Sequence, residues 1–287
     1  MKASKNKQVL VVVLNWNGLD YTGTCCASLA TQTVDGLKVL VVDNGSTAHT
    51  VDALKASVHG AEVLALPGNS GFAGGVNAGL QAADWEQFDY VWLLNNDTVC
   101  DPDALERLVA KAESDTGLAA VGCEMRESVA GQELERTVSV GQRLRPPFYI
   151  PGYARHSDGI DYLCGACLLI RREALTEVGL FDEGFFFFFE DADWSFRARR
   201  MGWRLGVAEG APVFHAGGGT IRQQSENRAR FYRTGHVRFL RKHVRFPFPA
   251  AVVTLLYRMF ADCLKGHFSA VRGSVRGFWA GWRGVLE

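Results

Sequence analysis

The sequence lacks an uninterrupted apolar segment long enough to cross a membrane. A spanning helix needs about 20 predominantly apolar residues, whereas the longest apolar stretch, 246–257, contains two prolines and ends at Arg258. The amino-terminal segment 1–8 is basic, and the apolar run that follows it, 9–14, is too short for a signal peptide. These absences predict a cytoplasmic protein.

The cysteine pattern lacks the even number and regular spacing of a disulfide framework. An odd total of seven cysteines, without a secretory signal, favours reduced thiols. Cys164 and Cys167 have the spacing of a zinc or redox pair, but no second such pair is near, and Cys25 and Cys26 are adjacent. We therefore interpret Cys164 and Cys167 as two buried small residues on a strand.

The chain has no net charge, yet its charges are segregated. Lys and Arg number 31, as do Asp and Glu, in 287 residues. The segment 228–287 carries 12 basic and 2 acidic residues, a net charge of +10, which leaves −10 for the segment 1–227. Such asymmetry predicts a basic surface for an anionic partner, either a membrane or a nucleic acid. The 47% hydrophobic content suffices for one large domain, with or without an appendage.

Strands and helices alternate over the first 120 residues or so, which predicts a parallel sheet of the nucleotide-binding type. Buried strands are predicted at 9–14, 39–42, 62–66, 90–94 and 119–123, and helices at 20–32, 51–58, 74–83 and 101–114. The segment 124–160 is polar and is interpreted as an irregular excursion. A strand at 162–170 and helices at 172–178 and 191–201 are predicted after it.

Polar residues follow three of these strands, where open α/β sheets bind ligands. Asn15 follows the first strand, Asp43 the second, and the segment 95–97 the fourth. The Asp97 carboxylate can hold a hard cation through oxygen, and such a cation would bind a diphosphate. The alternative is that Asp97 caps the turn before Pro102.

The segment 68–75 is glycine-rich and leads into a helix that carries Asn77. Glycine allows the backbone to approach a ligand closely, and the N–H groups at a helix start favour anions. The alternative is a plain strand-to-helix turn.

Three acidic residues follow five consecutive phenylalanines, 185–189. An apolar wall raises the proton affinity of a nearby carboxylate. On a helix, Asp193 can pair with Arg197 and Glu190 lies on the same face, while Asp191 points about 100° away from Glu190 and is free to meet a substrate. The alternative is that these acids only complement the helix dipole.

His215 ends an apolar strand that runs into glycines. A single histidine there is more often structural, but its neutral imidazole can also complete the coordination of a cation.

Five motifs, in this order, resemble glycosyltransferase family 2, and most closely its bacterial branch of rhamnosyltransferases. They are L-N-W-N-G at 14–18, V-D-N-G-S-T at 42–47, G-N-x-G-F-A-G-G-x-N at 68–77, L-N-N-D-T at 94–98 and F-x-E-D-x-D-W-x-x-R at 188–197. The match covers roughly residues 8 to 222. The resemblance implies an α/β fold of the GT-A type, with a mostly parallel central sheet flanked by helices, and transfer with inversion at the anomeric carbon.

The resemblance also implies roles for particular residues. The nucleotide sugar would be bound by Asn15, Asp43, Asn69, Gly71, Asn77, Asn95 and Asn96. Asp97 matches the metal-binding carboxylate of the family's D-x-D element, for Mg²⁺ or Mn²⁺, and His215 matches a histidine near the metal or diphosphate. Because Asn95 replaces the first acid of that element, a carboxylate is missing. Asp191 matches the general base of the Glu190–Asp191 pair. The acceptor side would include Gly165, Ala166 and Trp194. Arg222 is a weaker candidate for contact with the diphosphate.

We expect a catalytic domain at 1–227, with a nucleotide-binding half at 1–120 and an acceptor half at 121–227, followed by a basic amphipathic helical extension at 228–287. Basic residues alternating with aromatics at helical intervals favour anionic lipid at the inner face of the plasma membrane. The alternative is a helical hairpin packed on the core or on a second subunit of a homodimer. No recognised motif supports a nucleic acid partner.

The resulting hypothesis is a metal-dependent glycosyltransferase of cell-surface polysaccharide or glycolipid assembly, with a glycan or lipid-linked acceptor. dTDP-rhamnose is the preferred donor, ahead of UDP-sugars. A nucleotidyltransferase should carry a basic glycine-rich loop after the first strand, but no basic residue occurs between Asn15 and Lys38. A catalytically silent sugar-binding or scaffold module is the other alternative, and the presence of Asp97 and Asp191 argues against it.

Overall fold

The computed structural model describes residues 7–129, 132–139, 141–154, 159–215 and 226–284. Eleven strands and nine helices occupy these ranges. The strands are β1 Val9–Asn15, β2 Leu37–Asp43, β3 Glu62–Ala65, β4 Tyr90–Asn95, β5 Thr98–Cys100, β6 Leu118–Val129, β7 Gln132–Ser139, β8 Gly141–Arg145, β9 Ile150–Ala154, β10 Cys167–Arg171 and β11 Arg204–His215. The helices are α1 Leu19–Leu29, α2 Val51–Ser57, α3 Gly71–Ala82, α4 Ala104–Glu113, α5 Arg172–Val178, α6 Glu190–Arg200, α7 Glu226–His243, α8 Pro247–Leu264 and α9 Phe268–Arg283.

A nine-stranded sheet organises the chain in the order β3-β2-β1-β4-β10-β6-β11-β5, with β7 paired to β6. The first four strands of that order are mutually parallel. Strand β10 is antiparallel to both β4 and β6. The carboxyl ends of β1, β2 and β4 therefore meet at one edge, and the chain enters β10 at that same edge.

The central strands are buried on both faces, which explains their uniformly apolar sequences. In β1, Val9, Val11 and Val13 pack into the core cluster on one face. Leu10 and Val12 pack into the cluster on the opposite face. Successive side chains of a strand point to opposite faces, so a strand covered on both sides cannot alternate with polar residues.

Two predicted segments differ from the structure. The segment 124–160 was expected to be irregular, but β6 continues to Val129 and pairs with β7, and β8 pairs with β9 in a separate two-stranded sheet. The strand expected at 162–170 begins only at Cys167. Before Cys167 the backbone instead bonds to α6, since Leu163 N donates to the Ser195 hydroxyl at 3.5 Å and Gly165 N to Asp191 Oδ2 at 3.0 Å.

The carboxyl-terminal helices pack on the sheet domain through α7. Phe239 of α7 lies in an aromatic cluster with Phe185 and Phe189, and α8 and α9 cover the other face of α7. The division after residue 227 stays a prediction, since α7 begins at Glu226 and shares this cluster with the preceding domain.

Helix α8 is longer than the apolar stretch expected from the sequence. It continues through Arg258 to Leu264, and by length and composition it is the one helix of the described ranges that could cross a membrane. It is not the uninterrupted apolar span that was sought in the sequence, because it contains Arg258 and Asp262, which pair at 2.9 Å. Only 22% of the helix is buried.

Candidate active site

The edge formed by β1, β2 and β4 carries the first predicted site residues. Asn15 lies opposite Asp43 in the register of β1 and β2. Its Nδ2 donates to Asp43 Oδ1 at 3.0 Å, and its Oδ1 accepts from the Thr22 hydroxyl at 2.9 Å. Asn15 is fully buried and positions Asp43, and its contact with the nucleotide stays a prediction.

Asn96 also holds neighbouring parts of the chain together through hydrogen bonds. It is buried, and its Nδ2 donates to Asn15 Oδ1 at 3.2 Å and to the Thr22 hydroxyl at 3.0 Å. These bonds tie the turn after β4 to the start of α1. The expected contact between Asn96 and the nucleotide stays a prediction, and the neighbouring Asn95 and Asp97 are only partly buried.

The glycine-rich loop is held from beneath by Asn44, a residue that the sequence analysis missed. Asn44 Nδ2 donates to Asn69 Oδ1 at 3.2 Å and to the Gly71 carbonyl at 2.9 Å, and its Oδ1 accepts from Ser70 N at 3.0 Å. The signal was available in the sequence, because Asn44 directly follows Asp43 and a buried polar residue must find partners.

The phenylalanine segment crosses over the glycine-rich loop. Phe72 N donates to the Phe186 carbonyl at 2.7 Å. Gly71 has a φ of +78°, and a Cβ at that position would collide with the same carbonyl. Gly71 is therefore required for this crossing by conformation and by space.

Asn77 anchors helix α3 to this part of the chain instead of lining a pocket. Its Nδ2 donates to the Phe181 carbonyl and to Glu183 Oε1, both at 2.9 Å, and its Oδ1 accepts from Phe181 N at 3.1 Å. Both ends of the amide are occupied and the residue is buried. The predicted nucleotide contact by Asn77 stays a prediction, and the structure shows this residue in a supporting position.

Asp191 lies at the same edge of the sheet as Asn95. Its Oδ2 accepts from Gly165 N at 3.0 Å and its Oδ1 from Ala192 N at 2.8 Å. The next residue after Gly165, Ala166, accepts from Asn95 N at 3.1 Å through its carbonyl. Asp191 is thus connected through Gly165 and Ala166 to Asn95, which lies two residues before Asp97.

Burial raises the pKa of both adjacent acids, Glu190 and Asp191. Burial raises the pKa of Asp191 to about 6, although the N–H groups of Gly165 and Ala192 oppose the shift. Burial, followed by the charge of Asp191, raises the pKa of Glu190 well above its usual range. Glu190 Oε2 has no hydrogen-bond partner within the described part of the chain. With a pKa of about 6, Asp191 is therefore mostly ionised at neutral pH, while Glu190 keeps its proton to a higher pH than an exposed glutamate does.

Asp193 and Trp194 hold α6 in place through ion pairs and hydrogen bonds. The predicted pair forms, since Arg197 Nε donates to Asp193 Oδ2 at 2.9 Å, and His243 Nε2 and Lys242 Nζ both lie 2.8 Å from Asp193 Oδ1. Trp194 is fully buried and donates through Nε1 to the Gly179 carbonyl at 2.9 Å. Trp194 is a core residue here, and its expected place on the acceptor side stays a prediction.

The residues expected at a metal are Asp97 and His215. Backbone pairing of β11 with β5 places His215 opposite Thr98, the neighbour of Asp97. The side chain of His215, and the whole of Arg222, lie outside the described residues. Among the residues that are described, no cluster of three or more His, Cys, Asp or Glu side chains forms a metal site. A single carboxylate suits Mg²⁺ or Mn²⁺ that takes its other ligands from water and substrate phosphates.

The cysteines form no second site. All seven are free thiols, and Cys164 precedes β10 instead of lying on a strand as expected. Burial raises the pKa of Cys164 to about 12, so the thiolate needed for zinc or redox chemistry is scarce at neutral pH.

The family model of Glycosyl transferase family 2 matches residues 10–179, more than half of the chain. The chain belongs to this family. Its similarity to the N-acetylglucosaminyl-diphospho-decaprenol L-rhamnosyltransferase of Mycobacterium tuberculosis is 28% identity over 214 residues, 66% of this chain and 69% of that protein.

Solved structures share the fold. GalNAc-T7 with UDP, GalNAc and Mn²⁺ superposes with a TM-score of 0.66 at 16% identity, over 82% of this chain and 48% of that one. The mannosyltransferase PcManGT of Pyrobaculum calidifontis, in complex with GDP-Man and Mn²⁺, gives 0.60 at 17% identity, over 98% and 76%. The predicted GT-A fold is thus confirmed. As a member of glycosyl transferase family 2, the protein is a glycosyltransferase that uses a nucleotide-sugar donor.

Proposed function

We propose that this glycosyltransferase moves rhamnose from dTDP-rhamnose, with inversion, to a hydroxyl of a lipid-linked glycan during assembly of bacterial cell-surface polysaccharide or glycolipid. The observation that carries the proposal is the position of Asp191. Its carboxylate accepts a hydrogen bond from Gly165 N, and the next residue, Ala166, accepts one from Asn95 N through its carbonyl. Similarity to a rhamnosyltransferase with a diphospholipid acceptor in its name supports the donor and acceptor. A UDP-hexose is the second choice of donor.

In the proposed reaction, Asp191 is the general base. Its ionised carboxylate takes the proton of the acceptor hydroxyl while that oxygen bonds to the anomeric carbon. The bond from the anomeric carbon to the diphosphate breaks, and the nucleoside diphosphate leaves with the electron pair. Attack opposite the leaving group inverts the configuration. The N–H groups of Gly165 and Ala192 fix the orientation of the carboxylate throughout.

We assign a divalent cation, Mg²⁺ or Mn²⁺, to Asp97, with His215 as the second candidate ligand. When bound, such a cation neutralises charge on the diphosphate leaving group. Because Asn95 stands where a second carboxylate would, we expect affinity for the cation to be low without nucleotide and to rise when phosphate oxygens complete the coordination. The Mn²⁺ in the two solved relatives supports this choice.

We further propose peripheral contact of segment 228–287 with the inner face of the plasma membrane. Supporting it, the outer face of α8 exposes apolar side chains between 46% and 73%: Val253, Leu256, Tyr257, Phe260 and Leu264. Apolar residues beside many cations are typical of helices that lie on anionic lipid. A homodimer through this face is the competing prediction.

The test compares Asp191→Asn with Asp161→Asn. Asp161 also accepts a backbone N–H, from Leu144 at 2.8 Å, but it is not part of the proposed site. With Mn²⁺, a nucleotide-sugar panel and N-acetylglucosaminyl diphosphate on a short isoprenoid as acceptor, Asp191→Asn should lower the transfer rate by at least about 100-fold. Asp161→Asn should stay near the wild-type rate.

Binding is measured on the same proteins. Stabilisation by dTDP and Mn²⁺ in thermal melts should persist in Asp191→Asn, because the base does not hold the nucleotide. More than about a tenth of the wild-type rate in Asp191→Asn would refute the base assignment. Absence of turnover with every donor in the wild-type protein would refute the transferase proposal.

A further inference from the structure

Glu190 has a buried carboxyl oxygen that the chain does not pair. The residue is only 5% exposed, and its Oε2 makes no hydrogen bond to any described residue. Burial, followed by the charge of Asp191, raises the pKa of Glu190, and a carboxyl group that keeps its proton can donate a hydrogen bond. Because an unpaired buried polar atom is destabilising, this oxygen calls for a partner from outside the chain, either water or a ligand.

The Tyr162 side chain lies next to the same end of α6. It belongs to the aromatic cluster that includes Phe189 and Ala192, the residues directly before and after the two acids. Burial, then the charge of Asp191, raises the pKa of Tyr162 well above its usual range, and Glu190 adds to the shift. The Tyr162 hydroxyl is therefore close enough to both acids to be affected by their charge.

Tyr232 brings a second phenol to this place from α7. Its ring packs on those of Phe188 and Phe189, with ring centres 5.7 and 5.3 Å apart. Tyr232 also contributes to the raised pKa of Tyr162, so the two tyrosines lie near each other. Burial raises the pKa of Tyr232 as well. Both phenols thus keep their protons at neutral pH, and each can donate one hydrogen bond and accept another.

Packing alone does not account for these two hydroxyls. A buried tyrosine usually finds a hydrogen-bond partner, as Tyr90 of β4 does by donating to Glu113. Neither Tyr162 nor Tyr232 has such a partner for its hydroxyl within the described part of the chain. Phenylalanine would fill the same space without a polar atom.

The chemistry of this group of side chains suits a neutral sugar. Aromatic surface with a few polar groups is typical of sites that bind small polar ligands in one orientation, and groups that both donate and accept match sugar hydroxyls. Asp191 is mostly ionised at neutral pH and would repel a second negative charge at this point.

We propose that Glu190, Tyr162 and Tyr232 bind the sugar of the acceptor and hold its attacking hydroxyl against Asp191. Glu190 donates to a sugar oxygen through Oε2, and the two phenols contact other oxygens of the same ring. The assignment rests on the proposed function, in which Asp191 takes the proton of that acceptor.

The experiment measures binding to the full chain by isothermal titration calorimetry, with dTDP and Mn²⁺ present to fill the donor site. One probe is N-acetylglucosaminyl diphosphate on a farnesyl chain, and the other is farnesyl diphosphate, which lacks the sugar. Tyr162→Phe and Tyr232→Phe should each weaken binding of the sugar-bearing probe by about 3- to 10-fold, the loss expected for one hydrogen bond. Their affinity for farnesyl diphosphate should not change.

Tyr149→Phe is the matched control. Tyr149 packs on Phe239 at 6.2 Å in the same aromatic cluster, but Phe239 lies about two turns along α7 from Tyr232. The control should bind both probes like wild type, and thermal melts check that every variant folds. Unchanged affinity of both Tyr162→Phe and Tyr232→Phe for the sugar-bearing probe would overturn the subsite, as would no binding of that probe to wild type.

Two substitutions of Glu190 test its unpaired oxygen. Glu190→Gln keeps a donor at this position and should stay within about 3-fold of the wild-type affinity for the sugar-bearing probe. Glu190→Leu has a similar size but no polar atom and should bind that probe about 10-fold more weakly. If Glu190→Leu binds as wild type does, the oxygen holds only water and Glu190 has no part in the subsite.

The charge of the sugar is tested with glucosyl and glucuronyl diphosphate on the same farnesyl chain. The glucuronyl probe should bind at least about 10-fold more weakly, because its carboxylate lies near ionised Asp191. Equal affinities would overturn the assignment of a neutral sugar.

The proposed function is followed separately, through turnover and through stabilisation by dTDP and Mn²⁺. Absence of turnover in wild type with every donor, while Tyr162→Phe and Tyr232→Phe still weaken binding of the sugar-bearing probe, counts against the proposed function. Unchanged binding in these variants, while wild type transfers sugar, counts against the subsite alone.

Discussion

Asn15 and Asn44 each engage both ends of the side-chain amide in hydrogen bonds to other residues of the site. Together with Asn96 they form a buried layer beneath the loops that meet at the sheet edge. The residues left at the surface of this layer, Asn95 and Asp97, are only partly buried. At the scale of single residues, these three buried amides fix loop positions, and Asn95 and Asp97 are the residues at this edge that remain accessible.

The sequence distinguishes these two roles poorly. A polar residue at the end of a buried strand, or on the helix after a glycine-rich loop, can contact a ligand, but it can equally hold a loop in place by hydrogen bonds. The sequence therefore placed Asn15, Asn77 and Asn96 in the nucleotide pocket. Their partners, such as Thr22 and Phe181, are distant in the chain and have no periodic signal. The roles of Asp97 and Asp191 also stay predictions.

The protonation of Asp191 predicts the pH dependence of transfer. Its pKa is about 6, and only the ionised form can accept a proton, so kcat/KM should fall as the pH drops below about 6 and reach a plateau above pH 7 or so. The measurement is a kcat/KM profile between about pH 5 and 8, with circular dichroism at each pH as the control for folding. A flat profile over this range would contradict the assignment.

At the scale of elements, α6 depends on α7. Burial alone would raise the pKa of Asp193, yet hydrogen bonds from His243 and Lys242 lower that pKa to about 2. Asp193 therefore gains stability from its ionised form above the unfolded pKa near 4, and that stability is lost as the pH falls toward 2. One carboxylate thus connects α6, the helix that begins at Glu190, to the end of α7.

Asp193→Asn should lower the free energy of unfolding by about 3 kcal/mol, because it breaks a buried ion pair on one side. Asp182→Asn is the matched control: Asp182 also contacts Lys242 Nζ, at 2.7 Å, but its side chain is 31% exposed. The control should cost about 1 kcal/mol or less. Urea unfolding of the two variants checks the difference, and equal losses would show that Asp193 has no special part in the joint.

Element prediction from the sequence succeeded where hydrophobic patterning was strong. Helix α5 was predicted at its observed bounds, and β1, β2 and β4 within about two residues at each end. The hairpin of β6 and β7 was missed because its paired residues, such as Arg126 with Thr137, are polar and resemble a loop. The antiparallel insertion of β10 between β4 and β6 depends on long-range pairing, which local patterns do not encode.

At the scale of the whole molecule, charge and apolar surface are concentrated on the carboxyl-terminal helices. Segment 228–287 carries a net charge of +10, and the outward face of its helix α8 exposes several large apolar side chains. A single exposed hydrophobic residue is ordinary, but a continuous stripe next to cations indicates an interaction surface.

Phe260→Glu should reduce binding to phosphatidylglycerol vesicles by about 10-fold, because it removes an apolar side chain worth roughly 1.5–3 kcal/mol when buried and adds a repelled charge. Tyr21→Glu, on α1, alters an exposed aromatic residue away from this face and should not change binding. Vesicle flotation measures both, with neutral phosphatidylcholine as the reference.

Equal flotation of Phe260→Glu and wild type would contradict membrane contact through α8. Light scattering of the same proteins tests the competing homodimer: a wild-type dimer that becomes monomeric in Phe260→Glu would assign the face to a second subunit instead.

The hydrogen bond from Phe72 N to the Phe186 carbonyl has a mechanical consequence. It joins the loop proposed to cradle the donor to the segment that leads into the acids proposed to activate the acceptor, and Gly71 leaves no spare room between them. Neither loop can open by itself without breaking this bond. Release of the spent nucleotide and arrival of the next acceptor should therefore be governed by one shared gate.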